Sequence, residues 1–399
     1  MCGLVGIVDF NNSNKNFNSE ITNMIKKIQH RGPDNNKIGS YKNYHYGFNR
    51  LSIIDLSSNA NQPFEDSHII SMANCEIYNY KKIKSQYRKD EFISSSDSEV
   101  IPFLYKKLGT KFLDEIDGMF AFALFDKLKD KIYLGRDRLG IKPLYYYYDN
   151  KYLAFASEIK ALLELKFIEK NINLDTLNKY LISGFGSLQN TFIKNINTVP
   201  PASFIEISRN EINITKYYNK PEQFIDFENN KDVLNKFQNT INESVESHLI
   251  SDVPTSLMLS YGKDSNILNE IISKKNLFNF KTFTLGSNDF NKSEIFKEND
   301  KNHKNFKIDF KTFNNLEEKF IDCLDQPTVD GLNTYIISKF ISEEGYRVVL
   351  SGLGADELLG GYGAFRFLPN IYKSSLNFYL ISKLPFLFNY FTNYQKSEK

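Results

Sequence analysis

Tryptophan is absent from the 399 residues, and only three cysteines (Cys2, Cys75, Cys323) and five histidines occur. Three scattered cysteines exclude a secreted disulfide scaffold. Neither they nor the histidines show the spacing of a zinc site. Charge excess is lacking too: 50 Lys and Arg against 48 Asp and Glu leave +2, too even for an electrostatic grip on nucleic acid. No basic segment followed by an apolar run opens the chain, so no secretory signal is expected. The tail after residue 365 is rich in Phe, Leu and Tyr, but Lys383, Pro385 and Asn389 interrupt it before the ~18 apolar residues a membrane span needs. Buried helices of a second domain are the expectation there. Together these absences point to a soluble, reducing, cytoplasmic setting, and the length to two or three domains.

Short apolar strands are expected at residues 2–8, 47–55, 68–77, 119–125, 131–135, 143–148 and 152–156, with turn residues between them as in a hairpin-rich sheet. Helical periodicity covers 19–29, 99–108 and 158–165, which makes the first half layered α+β. Pro200-Pro201 opens a last strand pair, and Lys220-Pro221 marks a linker at 219–227. Beyond it, helix 231–248, strand 256–259, helix 265–274, strand 281–285, helix 334–344 and strand 347–350 alternate. That alternation implies a doubly wound parallel sheet. The tyrosines at 145–148 read as a strand packing two faces, the polar stretch 297–307 as solvated surface, and Cys323 as a core residue.

Cys2 follows Met1, a context that permits removal of the initiator. A chain starting at Cys2 carries the nucleophilic thiol and an α-amine, which titrates near 7.7–8.0 and so serves as a base at neutral pH. Downstream, His30-Arg31-Gly32-Pro33-Asp34 forms a sharp turn with one cation, and Arg50 offers a planar fork to a carboxylate. Asn74 and the N–H of Cys75 supply amide donors, and Glu76 and Asp97 supply acids. Donors for an oxyanion and opposite charges for both ends of a zwitterion describe an amino-acid amide hydrolase. Taken singly, each charge reads as a solvated surface pair.

These residues resemble the class II glutamine amidotransferase domain of the N-terminal-nucleophile family. CGLVGI, RGPD, RLSIIDL, Gln62-Pro63, EIYN, SDSEV, DGMFAFALFD, GRDRLGIKPLYY and FASEIKAL carry the resemblance in order over residues 2–210. It implies an αββα sandwich in a domain spanning 2–218. It implies attack by Cys2 on the glutamine side-chain amide, an oxyanion held by Asn74 and Cys75, and a carboxylate held by Arg50 with the backbone near Ile53 and Ile54. Asn74, Glu76 and Asp97 complete the glutamine site, the two acids holding the ammonium end. Cys75 departs from the family's usual glycine; at a positive φ a side chain there costs about 1–2 kcal/mol and crowds the substrate.

In the second half, Leu259-Ser260-Tyr261-Gly262-Lys263-Asp264-Ser265 reads as strand, turn and helix start, where backbone N–H groups and the helix dipole suit an anion. Asp264 suits Mg²⁺. Ser351-Gly352-Leu353-Gly354-Ala355-Asp356-Glu357 follows an apolar strand, with glycines that admit close backbone approach and Asp356 as a second metal partner. The loops at 325–327 and 330–335 join the sheet's carboxyl edge. The motif order resembles the synthetase domain of glutamine-hydrolysing asparagine synthetases, here over 228–399.

That resemblance implies activation of a carboxylate as its adenylate by ATP, and amidation by ammonia passed from the first domain. Ser260, Gly262, Asp264 and Ser265 then form the pyrophosphate loop; Leu259, Leu285, Ser351 and Gly352 line the nucleotide; Asp264 and Asp356 hold Mg²⁺. Tyr261 replaces a loop glycine, Leu353 stands where many relatives have glutamate, and residues 294–303 look shorter than the family's connection. The family's domain also runs further and carries a catalytic lysine region there.

The expected function is conversion of aspartate, glutamine and ATP to asparagine, glutamate, AMP and pyrophosphate. Rival readings are the same chemistry on another small carboxylate such as a sugar acid of surface polysaccharide, and a glutaminase serving as ammonia donor beside an inactive synthetase half. A non-enzymatic scaffold is the third. Expected partners are glutamine, aspartate or another carboxylate, with a homodimer or a partner supplying a further C-terminal part.

Overall fold

Alternation along the first strand decides the layering. In β1 (Gly3–Asp9), Leu4 and Val8 face one side and Val5 and Ile7 the other, all four at most 2% exposed. A strand buried on both faces must lie inside a stack of layers. The computed structural model describes residues 1–11, 15–209, 211–219, 230–275, 277, 279–287 and 301–365. The expected linker beyond Asn219, the tail 366–399 and the segment 294–300 fall outside the described residues.

Among the described residues of the first unit, twelve strands form two antiparallel sheets. After β1 come α1 (Asn18–Lys27), β2 (Asn35–Tyr41), β3 (Tyr44–Arg50), β4 (Phe64–Glu65), β5 (Ile69–Ile77), α2 (Tyr80–Ser85) and α3 (Val100–Leu108). Then follow β6 (Gly118–Asp126), β7 (Lys131–Arg136), β8 (Tyr145–Tyr148), β9 (Tyr152–Ala156), α4 (Ile159–Leu162), α5 (Leu174–Ser183), β10 (Ile196–Thr198), β11 (Ser203–Ser208) and β12 (Glu211–Lys216). The sheet orders are β10-β8-β9-β1-β3-β2 and β12-β11-β7-β6-β5-β4. Leu4, Tyr44, Phe48, Met72, Ala121 and Phe125 meet between the sheets. Val5 and Ile7 pack on Ile21, Met24 and Ile25 of α1 and on α4. Phe120, Phe122 and Leu124 pack on Val100, Ile101 and Leu104 of α3. The result is the αββα sandwich.

The second unit runs α6 (Asn230–His248), β13 (Thr255–Met258), α7 (Lys263–Ser273), β14 (Lys281–Ser287), β15 (His303–Ile308), α8 (Phe310–Cys323), α9 (Leu332–Glu343), β16 (Val348–Leu350) and α10 (Ala355–Leu359). Its sheet, β15-β14-β13-β16, is parallel throughout.

Three expectations are corrected. The strand expected at 47–55 ends at Arg50, because residues 51–57 turn into a loop with Asp55 at φ 57° and the Arg50 guanidinium binds that loop's carbonyls. Part of the stretch expected as solvated surface is the edge strand β15, where Phe306 stacks on Phe283 and Phe340 at centroid distances of 5.6 and 4.9 Å. Cys323 ends α8 on the surface and not in the core. The strand at 145–148 keeps its two buried central tyrosines, as expected.

The two units touch through specific polar contacts. Asp252 donates its N–H to the Ile53 carbonyl (3.0 Å) and accepts from the Asp55 N–H (2.7 Å). Arg347 pairs with Asp34, whose carboxylate also accepts from the Ser52 N–H at 2.8 Å. On the other flank Asp325 accepts from the N–H groups of Ile159 and Lys160 at 2.7 and 2.9 Å.

Candidate active sites

Cys2 stands at the start of β1, where its sulfur accepts the Leu51 N–H at 3.4 Å and lies 3.6 Å from the Leu51 carbonyl. Arg31 Nε donates to the Cys2 carbonyl at 3.0 Å, and its Nη1 donates to Glu158 at 2.9 Å. Burial pushes the Glu158 carboxyl up, but hydrogen bonds from His30 and Arg31 outweigh it and bring it to about 2. The charge that orients Arg31 is therefore permanent across the working pH range. Burial pushes the Cys2 thiol up; the amine of Met1, which precedes it here, is pushed down to about 5 by burial.

Every glutamine-site residue expected from the sequence lines one cleft: Cys2, Arg50, Ile53, Ile54, Asn74, Cys75, Glu76 and Asp97. Met1, whose removal the sequence permits, lines the cleft as well, and with it in place the cavity is about 30 Å³, room for roughly one water. Among the described residues the Asn74 Nδ2 is buried with no hydrogen-bond partner, which leaves it available to a ligand. Arg50 spends its terminal nitrogens on the loop: Nη1 donates to Ser57 O and Asn61 Oδ1, both at 2.8 Å, and Nη2 to Ile54 O and Asp55 O. The guanidinium thus builds the loop wall as well as facing the cleft.

Cys75 carries no backbone strain, since it pairs with Phe120 within β5 and β6 and is not a positive-φ position. The expected strain is corrected; the side chain's bulk is real, its sulfur lying 3.7 Å from Asp97 Oδ2. Asp97 accepts from the Ile77 N–H at 2.8 Å, yet burial still pushes its carboxyl up. Burial and the Asp97 charge push Glu76 up to about 8. Two acids held this way call for a cation.

Sequence reasoning passed over Lys142, which is 5% exposed and electrostatically close to Glu76, Cys75 and Cys2. Its signal was a lone cation between Ile141 and Pro143-Leu144 in an otherwise apolar run. Gln62 was also missed as a wall: its amide exchanges hydrogen bonds with the Ala73 backbone at 2.6 and 3.0 Å.

The second cleft opens at the carboxyl ends of β13 and β16, with a volume of about 300 Å³. Leu259, Ser260, Gly262, Asp264, Ser265, Leu285, Ser351 and Gly352 all line it, with Tyr261 and Leu353. Ser265 Oγ ties the turn to itself, accepting the Ser260 N–H at 3.0 Å and reaching the Gly262 carbonyl at 3.1 Å. Gly262 caps α7, so the free N–H groups of that helix start face the cleft. A Cβ on Gly352 would come within 3.1 Å of Asp264 Cβ and 3.2 Å of the Ser265 nitrogen; glycine lets the two loops meet.

These features fit a nucleotide's phosphates. For Mg²⁺ the cleft offers Asp264, while Asp356 lies in the first turn of α10 and is not among the lining residues. No group of three or more metal-capable side chains occurs among the described residues. A single carboxylate suits a Mg²⁺ that is held mainly by phosphate oxygens. Tyr261 has no positive φ, and its ring is 41% exposed at the cleft.

The architecture is an αββα sandwich with a cleft at Cys2, followed by a parallel-sheet unit with a second cleft at its carboxyl edge. The family model described as glutamine amidotransferase domain matches residues 1–218, and that described as asparagine synthase matches 236–391. A putative asparagine synthetase [glutamine-hydrolyzing] 2 from Methanocaldococcus jannaschii is 34% identical over 91% of this chain and 76% of its own length. Asparagine synthetase B from Escherichia coli is 31% identical over 93% of this chain and 66% of its own. Amidase chry2 from Gibberella zeae is 27% identical over 92% of this chain and 60% of its own. The chain belongs to the family of glutamine-hydrolysing asparagine synthetases. No helix among the described residues is long and apolar enough to cross a membrane.

Proposed function

We propose that this protein is a glutamine-dependent, ATP-driven amidotransferase whose acceptor is aspartate, giving asparagine, AMP and pyrophosphate in the cytoplasm. The observation that carries the reading is the pairing of two built clefts: a cysteine beside a reserved amide donor, and a phosphate-type turn closed by a glycine contact. In the first, Cys2 attacks the glutamine amide, and Asn74 with the Cys75 N–H holds the oxyanion. Arg50 and the backbone at Ile53 and Ile54 meet the α-carboxylate; Asp97, with Glu76, meets the α-ammonium. In the second, Ser260, Gly262 and Ser265 cradle the pyrophosphate end of ATP, and Leu259, Leu285, Ser351 and Gly352 line the nucleotide. Mg²⁺ held through Asp264 would neutralise phosphate charge there. The domains take boundaries at 2–218 and 228–399.

Two variants test the reading. Replacing Cys2 by Ala removes AMP formation driven by glutamine and leaves AMP formation driven by ammonium salts. Loss of both, in a folded protein, rejects the division of labour. A second acceptor reading is favoured by Leu353, which lines the cleft while 84% exposed and offers no polar group to an acceptor, and by a relative named as an amidase. Screening small carboxylates for AMP release separates it: AMP with another carboxylate, and none with aspartate, selects the second reading.

A further inference from the structure

Cys2 lies just ahead of the strand ladder. The pairing of β1 with β3 begins at Gly3, so the backbone of Cys2 needs other supports. Arg31 Nε donates to its carbonyl at 3.0 Å, and Arg31 Nη1 donates to Glu158 Oε1 at 2.9 Å. The neighbouring Ser157 grips Leu4 twice: its Oγ accepts the Leu4 N–H at 3.1 Å, and its N–H donates to the Leu4 carbonyl at 3.0 Å. Residues 157–158 are therefore a clamp on the start of β1. None of these four bonds involves Met1.

What fixes the clamp comes from the other unit. The helix α4 opens immediately after Glu158, and the first N–H groups of a helix have no acceptor within it. Glu158, the N-cap residue, makes no side-chain capping bond, because its carboxylate is turned to His30 and Arg31. The acceptor is instead Asp325, 166 residues from Ile159. Its Oδ2 takes the Ile159 N–H at 2.7 Å and its Oδ1 the Lys160 N–H at 2.9 Å. Flanking bonds hold Asp325 in place: Lys160 Nζ donates to the Cys323 carbonyl at 2.9 Å, and Gln326 Nε2 to the Tyr145 hydroxyl at 3.1 Å. Lys160 Nζ also lies 3.2 Å from Glu158 Oε2, which ties the capped turn back to the carboxylate that holds Arg31.

We propose that Asp325 is a positioning residue for the nucleophile: by capping α4 it fixes Ser157 and Glu158, and these hold Leu4 and, through Arg31, Cys2. The second unit thus completes the first unit's site without touching its substrate, since Asp325 is not among the residues lining the Cys2 cleft. The consequence for turnover rests on the glutaminase reading; the anchoring does not.

Two measurements on the full chain test it. Hydrogen exchange read by mass spectrometry reports the anchoring. In Asp325→Ala the Leu4 amide, within the peptide covering residues 2–9, is expected to exchange about tenfold faster, with the peptide covering β6 unchanged. Glutamine kinetics report the positioning: kcat falls about tenfold while KM holds, because Arg50, Glu76 and Asp97 lie outside the clamp. Asp325→Ala also costs a smaller factor in a Glu158→Gln background than in wild type, since both substitutions loosen the same Arg31 contact. A contact that only docks the units would lower kcat by equal factors in the two backgrounds. Asp325→Asn keeps one acceptor oxygen and falls between; it carries both measurements if Asp325→Ala does not fold.

Unchanged exchange at residues 2–9 overturns the proposal. So do equal factors in the two backgrounds, or a loss confined to KM. Should wild type never hydrolyse glutamine, exchange alone decides: faster exchange keeps the anchoring and rejects the glutaminase reading, and unchanged exchange rejects both. Glutamine hydrolysis with unchanged exchange rejects the proposal alone.

Discussion

At the scale of single residues, the glutaminase site is built by giving each polar atom one task. Leu51 and Arg31 hold Cys2 by its sulfur and its carbonyl, and Asn74 Nδ2 waits without a partner. If Asn74 holds the oxyanion as proposed, replacing it by Ala lowers kcat for glutamine about 10²–10³-fold with little change in KM; steady-state glutamate release checks it. Glu76 gives a stability prediction. Burial and the Asp97 charge raise its folded-state pKa to about 8, above the unfolded value, so the folded state holds the proton longer. Its favourable contribution is fully present below about pH 4 and is lost as pH rises through about 8. Glu76→Gln should therefore gain thermal stability over wild type increasingly from pH 5 to pH 9. Melting temperatures that differ by a constant amount across that range would contradict the shift.

At the scale of elements, the strands carrying the chemistry were legible because each is apolar on both faces. GLVGIVD, IISMANCEI and GMFAFALFD have no reading except as central strands. β2 was not legible: NNKIGSY has one aliphatic residue, and pairing with β3 along its whole length, not burial, makes it a strand. β15 hid likewise among lysines, and only its stacked Phe306 betrays it. The loop after β3 was misread because its apolar letters, Leu51-Ser52-Ile53-Ile54, look like strand; its course is set by the Arg50 guanidinium, a long-range choice invisible to periodicity. At the nucleotide cleft, Gly352→Ala is expected to force the two loops apart, given contacts of 3.1 and 3.2 Å. ATP affinity should fall about tenfold, read by calorimetry, while glutamine hydrolysis keeps its rate.

At the scale of the whole molecule, the two clefts share a frame. The glutamine loop is clasped by Asp252 just before β13 and by Arg347 just before β16. The nucleotide cleft is lined at the opposite ends of those same strands. None of this was legible in the sequence, because contacts nearly two hundred residues or more apart, such as Asp55 with Asp252, leave no local pattern. Asp252→Ala is expected to loosen the loop by about 1 kcal/mol and raise the KM for glutamine about fivefold. An unchanged KM would mean that the clasp is passive.

The central claim is that glutamine hydrolysis in one cleft feeds an ATP-driven amidation in the other. Its most direct test is a reaction of the full chain with aspartate, Mg-ATP and glutamine labelled with ¹⁵N in the amide, following AMP, glutamate and labelled product together. The account predicts AMP and ¹⁵N-asparagine in near-equal amounts, both dependent on aspartate and both lost in Cys2→Ala. Glutamate released without AMP, whatever carboxylate is offered, would contradict it.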